Sequence, residues 1–215
     1  MPSNHNLLLP MFSPMAQPPT KRYRTIVADP PWDYKVAGIG HFSGKSAGRQ
    51  YSCMTPDEIL QLPIGLWAQE DARLYLWTTN SFMEQAHRIA RTWGFTPRTI
   101  LTWVKGRIEG GRLIQQFGLG YCYRNSTEHI VVAECGKPAV LNHDTPTALI
   151  SPRHQHSEKP PAFYDMVEHV SPGPYLDVFA RKQRMGWDCF GNEAYNPSEL
   201  LATLTDEQAD GLVPA

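Results

Sequence analysis

An acid, two prolines and a tryptophan follow directly on a short apolar run. Thr25-Ile26-Val27-Ala28 leads into Asp29-Pro30-Pro31-Trp32. The run reads as a buried strand of a parallel sheet. The prolines stop the ladder, because neither can donate a backbone hydrogen bond, and they hold the next carbonyls in an extended direction. The carboxyl end of the strand then presents one carboxylate, two rigid carbonyls and one indole face. Ligands of open α/β sheets bind at that edge. Such a set suits the exocyclic amino group of a flat base. That amine is a poor nucleophile, since its lone pair is delocalised into the ring. Asp29 and the Pro30 carbonyl are candidate acceptors that draw it toward a pyramidal geometry, with Trp32 as a stacking face. A base must leave its helix or strand to reach such a pocket. The plain alternative is a Pro-Pro turn, with Trp32 in the core and Asp29 as a turn residue.

Asp29-Pro30-Pro31-Trp32 resembles the signature of the MT-A70-like adenine-N6 methyltransferases. That family includes the catalytic subunit of the eukaryotic messenger-RNA adenosine methyltransferase, and has members in bacteria and phages. The resemblance implies S-adenosylmethionine as methyl donor and adenine in nucleic acid as acceptor; the small size and the lack of zinc-finger or other RNA-binding modules favour DNA over RNA. The resemblance covers roughly residues 24–193 and implies roles for several side chains. Asp29 with Pro30, Pro31 and Trp32 forms the catalytic turn, and Asp29 also touches the donor. Lys159 matches a donor-contacting lysine that precedes proline. Phe179 and Arg181 match the Phe-Gly-Arg of a donor-binding strand, with Ala180 in place of glycine. Asn192 and Glu193 match the closing Gly-Asn-Gln or Gly-Asn-Glu element. Tyr51 stands near an aromatic residue that holds the target adenosine. The catalytic turn precedes the donor strand, so the implied fold is an α/β, Rossmann-like class I methyltransferase sheet in circularly permuted order.

The remaining elements must position these residues. After Trp32, four glycines between 38 and 48 are accompanied by Lys35, Lys45 and Arg49, interleaved with Tyr34, His41, Phe42 and Tyr51. A long glycine-rich segment there reads as a lid, and its basic and aromatic side chains suit phosphate contact and base stacking. Trp32, Lys35, Tyr51 and His156 are the substrate-binding candidates. Gly40 through Ser46 falls one residue short of the ATPase-type phosphate loop and does not open a helix from a strand. Thr55-Pro56-Asp57-Glu58 predicts a capped helix start, the helix running to about Pro63. Strands are predicted at 73–78, 99–105, 128–133, 148–151 and 175–181. A helix opening at Ser81-x-x-Glu84 and closing at Gly94 joins the first two by a right-handed parallel crossover. The strand at 128–133 follows a long loop directly, which predicts antiparallel pairing. Lys159 opens another helix against its dipole, an unfavourable place that points to function. Residues 106–127, rich in glycine and arginine, read either as a nucleic-acid loop or as the interface of a homodimer or heterodimer. Without the resemblance, residues 187–193 read as a polar turn.

Composition bounds the rest. Of 215 residues, 41% are hydrophobic and 19% charged, which suits a single α/β domain. Residues 1–20, with five prolines, read as a flexible arm, 21–194 as the methyltransferase domain, and 195–215 as a helix and acidic tail. A net charge of −1 argues against strong unaided binding to nucleic acid, where phosphate contacts supply most of the affinity. Four dispersed cysteines without a C-x-x-C pair argue against a zinc site and for reduced thiols. No apolar run approaches the ~20 residues of a membrane span. The first residues lack the pattern of a signal peptide. The expected compartment is the cytoplasm.

Overall fold

The computed structural model describes residues 21–34, 53–118, 122–153, 158–180 and 182–191. The arm, most of the glycine-rich segment and the tail lie outside them. Among the described residues the strands are β1 (Tyr23–Ala28), β2 (Ala68–Thr78), β3 (Thr96–Glu109), β4 (Arg112–Gln115), β5 (Thr127–Cys135), β6 (Ala148–Ser151), β7 (Tyr175–Val178) and β8 (Trp187–Phe190). The helices are α1 (Pro56–Leu60), α2 (Met83–Thr92) and α3 (Pro161–Val170). The strands form one sheet in the order β4-β3-β5-β2-β1-β7-β8, with β6 beside β3. This is a mixed, Rossmann-like α/β sheet.

The apolar run of β1 is unbroken because both faces of the sheet are covered. Ile26 and Ala28 pack with residues of α1 and α2, while Val27 packs with Phe163 and Val167 of α3. β1 pairs in parallel with β2 and with β7, and β7 in parallel with β8. β5 lies between β2 and β3, antiparallel to both. The crossover through α2 therefore joins two strands that share a direction but are not neighbours.

Three local expectations are met and three are corrected. Thr55 caps α1 in a reciprocal box with Glu58, Gly94 ends the α2 segment at a φ of 88°, and β5 is antiparallel. Ser81, however, is not the cap of α2. It lies in a short 3-10 turn, Asn80–Phe82, and α2 starts at Met83. The 106–127 segment is not a single loop, because β3 continues to Glu109 and returns as β4. Gly110 and Gly111 make the turn with φ of 55° and 76°, the left-handed region that suits hairpin reversal. Residues 187–190 are a buried strand, not a polar turn. Trp187 stacks on Tyr175 at 4.6 Å, Phe190 meets Trp67 edge-on, and Lys21 neutralises Asp188. Among the described residues no helix is long and apolar enough to cross a membrane.

Candidate active site

One edge of the sheet collects the ends of its parallel strands and the start of an antiparallel one. β1 passes into Asp29, β2 into Thr79 and β7 into Phe179. β5 runs the other way and begins there, with His129 opposite Thr78. Side chains alternate across a strand. Asp29 therefore shares a face with Val27, and Glu128 with Ile130, on the α3 side.

Lys159 reaches that face from the segment before α3. Its Nζ lies 3.0 Å from Asp29 Oδ1 and 2.9 Å from Glu128 Oε2, and 4.5 Å from the centre of the Trp77 ring. Lys105 Nζ donates to the other Glu128 oxygen at 2.6 Å. A chain Asp29–Lys159–Glu128–Lys105 thus bridges β1, β5 and β3 across β2. The Lys159 side chain is 11% exposed. Burial alone would lower its pKa, but Asp29 and Glu128 outweigh that and hold the ammonium above its ordinary value. Burial alone would raise Glu128, but Lys159 and Lys105 outweigh it and hold the carboxyl below the ordinary range. An unpaired buried ammonium would cost several kcal/mol. The two carboxylates offset that cost, and the indole face adds roughly 1–2 kcal/mol.

The turn itself is pinned by its backbone. The Trp32 N–H closes on the Pro30 carbonyl at 2.9 Å, and the Met54 N–H takes the Pro31 carbonyl at 2.8 Å. A carbonyl accepts two hydrogen bonds, so the Pro30 oxygen has capacity beyond the one it makes among the described residues. Trp32 is placed differently from the expectation. It is 6% exposed, stacks on Phe82 at 4.9 Å, and donates its indole N–H to the Trp77 carbonyl at 3.2 Å. It packs into the α1/α2 core. The ring expected to stack on a base is here a pin under the site.

On the β7 side, Phe179 adopts a φ of 67°, a left-handed conformation that costs a non-glycine residue energy. Its N–H donates to the Phe190 carbonyl at 2.6 Å. The next residue after β8, Gly191, lies so close that a Cβ there would stand 3.0 Å from Phe179 Cα and from the Ala180 nitrogen. Glycine is required for that approach.

The structure therefore brings Asp29 and Lys159 into contact and sets Phe179 at a neighbouring strand end. Lys35, Tyr51, His156, Arg181, Asn192 and Glu193 lie outside the described residues. Sequence reasoning gave no role to Glu128 or Lys105, and read Tyr34 only as one of the aromatics beside the glycine-rich segment. The Tyr34 hydroxyl donates to Thr79 Oγ1 at 3.3 Å, and burial raises its pKa. One signal for Glu128 was present. Period-2 alternation puts it on the buried face with Ile130 and Val132, where an acid is rarely left without a partner. Among the described residues, no three His, Cys, Asp or Glu side chains gather as metal ligands.

This arrangement offers an ammonium held between two acids beside an open strand edge. The Trp77 indole N–H, at 1% exposure, has no hydrogen-bond partner among the described residues. Such a donor set fits S-adenosylmethionine, which carries a carboxylate, an ammonium and a sulfonium. Lys159 suits the carboxylate, and the acids suit the positive charges.

Comparison with known proteins agrees. Residues 23–193 match the MT-A70 family model. The chain is 30% identical to the type II methyltransferase M.MunI of Mycoplasma sp, over 94% of this chain and 89% of that protein. It is 27% identical to the N(6)-adenosine-methyltransferase catalytic subunit METTL3 of Homo sapiens, over 89% of this chain and 32% of that protein. It is 29% identical to the N(6)-adenine-specific methyltransferase METTL4 of Homo sapiens, over 80% of this chain and 38% of that protein. The chain thus spans about a quarter to two fifths of the length of its plant and animal relatives. S-adenosylmethionine is the methyl donor of MT-A70 methyltransferases. The match over most of the chain places this protein in the MT-A70 family of adenine-N6 methyltransferases.

Proposed function

We propose that this chain methylates the N6 amino group of adenine in nucleic acid, with DNA as its substrate. The observation that carries this reading is the Asp29–Lys159 pair at the carboxyl edge of β1, with Glu128 as a second anchor for the lysine. When bound, S-adenosylmethionine supplies an electrophilic methyl group whose loss leaves a neutral thioether. Asp29 accepts a hydrogen bond from the adenine amine, and the remaining lone pair of the Pro30 oxygen is a second acceptor. Together they localise the nitrogen lone pair. As the N–C bond forms, the amine loses one proton, and Asp29 is the nearest base of the turn. Lys159 keeps Asp29 charged, and Glu128 retains Lys159 when Asp29 turns to the substrate. No covalent enzyme intermediate is needed. Ordered reactants can contribute up to roughly 7–11 kcal/mol by positioning alone.

DNA is favoured because the chain matches nearly the full length of a type II methyltransferase and only 32% of METTL3. We place a protein partner, a second copy or a related chain, at the β3–β4 hairpin. Ile108 and Leu113 stand opposite each other there, and both are exposed.

Labelled methyl transfer from S-adenosylmethionine to single-stranded DNA, duplex DNA and RNA tests the reading beside Asp29→Asn. The expected result is N6-methyladenine on DNA, lost by at least a hundredfold in the variant, as for the removal of a catalytic acceptor. Turnover near the wild-type rate in Asp29→Asn would sink the role of Asp29. Label on RNA alone would reverse the substrate.

A further inference from the structure

A third acid lies on the same face, one strand beyond Asp29. Asp177 belongs to β7 and pairs in register with Val27 of β1, two residues before Asp29. Its side chain is nearly buried, and Tyr164 of α3 donates to Oδ2 at 2.8 Å. Arg184 stacks over the Tyr164 ring at 4.4 Å and also approaches Asp165. Cys189 of β8 faces Asp177 in register, and burial pushes its thiol up to about 12, so it stays neutral. The charged groups around Asp177 among the described residues are thus Asp29 from β1, Lys159 from the approach to α3, and Arg184 from the β7–β8 connection. β2 contributes the neutral Tyr75 on that face.

This cluster has a charge balance. Asp29 and Glu128 are matched by Lys159 and Lys105, and Arg184 is engaged by Asp165. An ionised Asp177 adds one more negative charge beneath the site, and a protonated one adds none. We propose that Asp177 is a positioning residue whose ionisation strengthens binding of the cationic sulfonium donor over its neutral thioether product. The inference rests on the proposed function for the identity of that donor. Burial, opposed by the Tyr164 hydroxyl and reinforced by Asp29, pushes Asp177 up to about 7, so the switch falls in the working range. By linkage, the donor's positive charge favours the ionised acid, and loss of that charge on methyl transfer favours its reprotonation. The acid thereby follows the charge change of the reaction without touching the transferred group.

Two measurements on the full chain test this. The first is ligand-free. The Lys159 ammonium signal, followed by nitrogen-15 NMR from pH 5.5 to 8.5, should titrate near neutrality in the wild type. It should be flat in Asp177→Asn, and should move to higher pH in Tyr164→Phe, which removes the donor that favours the charged form. The second is calorimetric affinity for S-adenosylmethionine and for S-adenosylhomocysteine. The ratio of the two affinities should rise severalfold from pH 6 to pH 8 in the wild type and stay constant in Asp177→Asn. A merely structural acid would alter both affinities together at every pH. A flat Lys159 signal in the wild type, or an unchanged pH-dependent ratio in Asp177→Asn, overturns the proposal, as does a failure to bind the donor. Absence of methyl transfer to any adenine acceptor would sink the proposed function instead, and leaves both of these readouts decisive.

Discussion

Asp29 and Glu128 together outweigh burial and hold the Lys159 ammonium above its ordinary value. The pH signs follow from the two shifts. The raised Lys159 contributes stability fully below its unfolded pKa, and loses it as pH rises through the folded value. The lowered Glu128 contributes above the ordinary carboxylate pKa, and loses it as pH falls through its folded value. The bridge is therefore intact across neutral pH, and neutral-range titration must come from elsewhere. Glu128→Gln should cost about 2 kcal/mol at pH 7, as for loss of a charged hydrogen-bond partner at a partly exposed site. Urea unfolding of both proteins at several pH values checks this. The gap between them should close as pH falls below the ordinary carboxylate range, and a gap undiminished at low pH would remove Glu128 from the bridge.

At the scale of elements, the turn after β1 works as a clamp. Its acid faces the α3 side, while its tryptophan is driven into the opposite core. The Trp32–Phe82 stack and the bond to the Trp77 carbonyl tie the turn to the 3-10 segment before α2 and to the end of β2. Backbone bonds to Met54 tie it to the approach of α1. Trp32→Ala should therefore destabilise the fold by roughly 3–5 kcal/mol, as for other large cavities. Trp32→Phe keeps the stack and loses one hydrogen bond, about 1 kcal/mol. Chemical denaturation distinguishes them. A Trp32→Ala protein of unchanged stability would return the indole to an open, base-stacking role.

For the whole molecule, insertion of β5 between β2 and β3 is the arrangement that brings the site together. It turns the start of an antiparallel strand toward the ends of parallel ones, and so adds a second carboxylate to an edge that parallel strands alone would leave with one. The same insertion leaves β3 to run on past the sheet into the β3–β4 hairpin, whose strand β4 is exposed at every residue. If that edge meets a partner, Ile108→Lys with Leu113→Lys should convert a dimer to a monomer in sedimentation at micromolar concentration, with the fold retained. A wild-type protein that is already monomeric there, and finds no partner among related chains, would refute the hairpin as an interface.

Local rules were enough for the strand and turn around Asp29, for the capping box of α1 and for the glycine that ends α2. Each depends on residues within one or two turns of chain, where sterics and hydrogen-bond capacity are already decided. The short motif at 29–32 also identified the family. The same local reading missed β8, because one acid and its flanking glycines look polar until Lys21, Tyr175 and Trp67 arrive from elsewhere. It put Trp32 with the substrate, because alternation shows that two residues lie on different faces but not which face will be filled by α2. It passed over Glu128 and Lys105, which enter the site only through the order and direction of strands. That order rests on pairing between segments far apart in the chain, and on burying apolar surface on both sides of the sheet. The sequence by itself therefore determined the acid, the prolines, the lysine and the family. Only the tertiary structure decided that the lysine stands between two carboxylates with a third beneath them, since electrostatic partnership depends on distance in space.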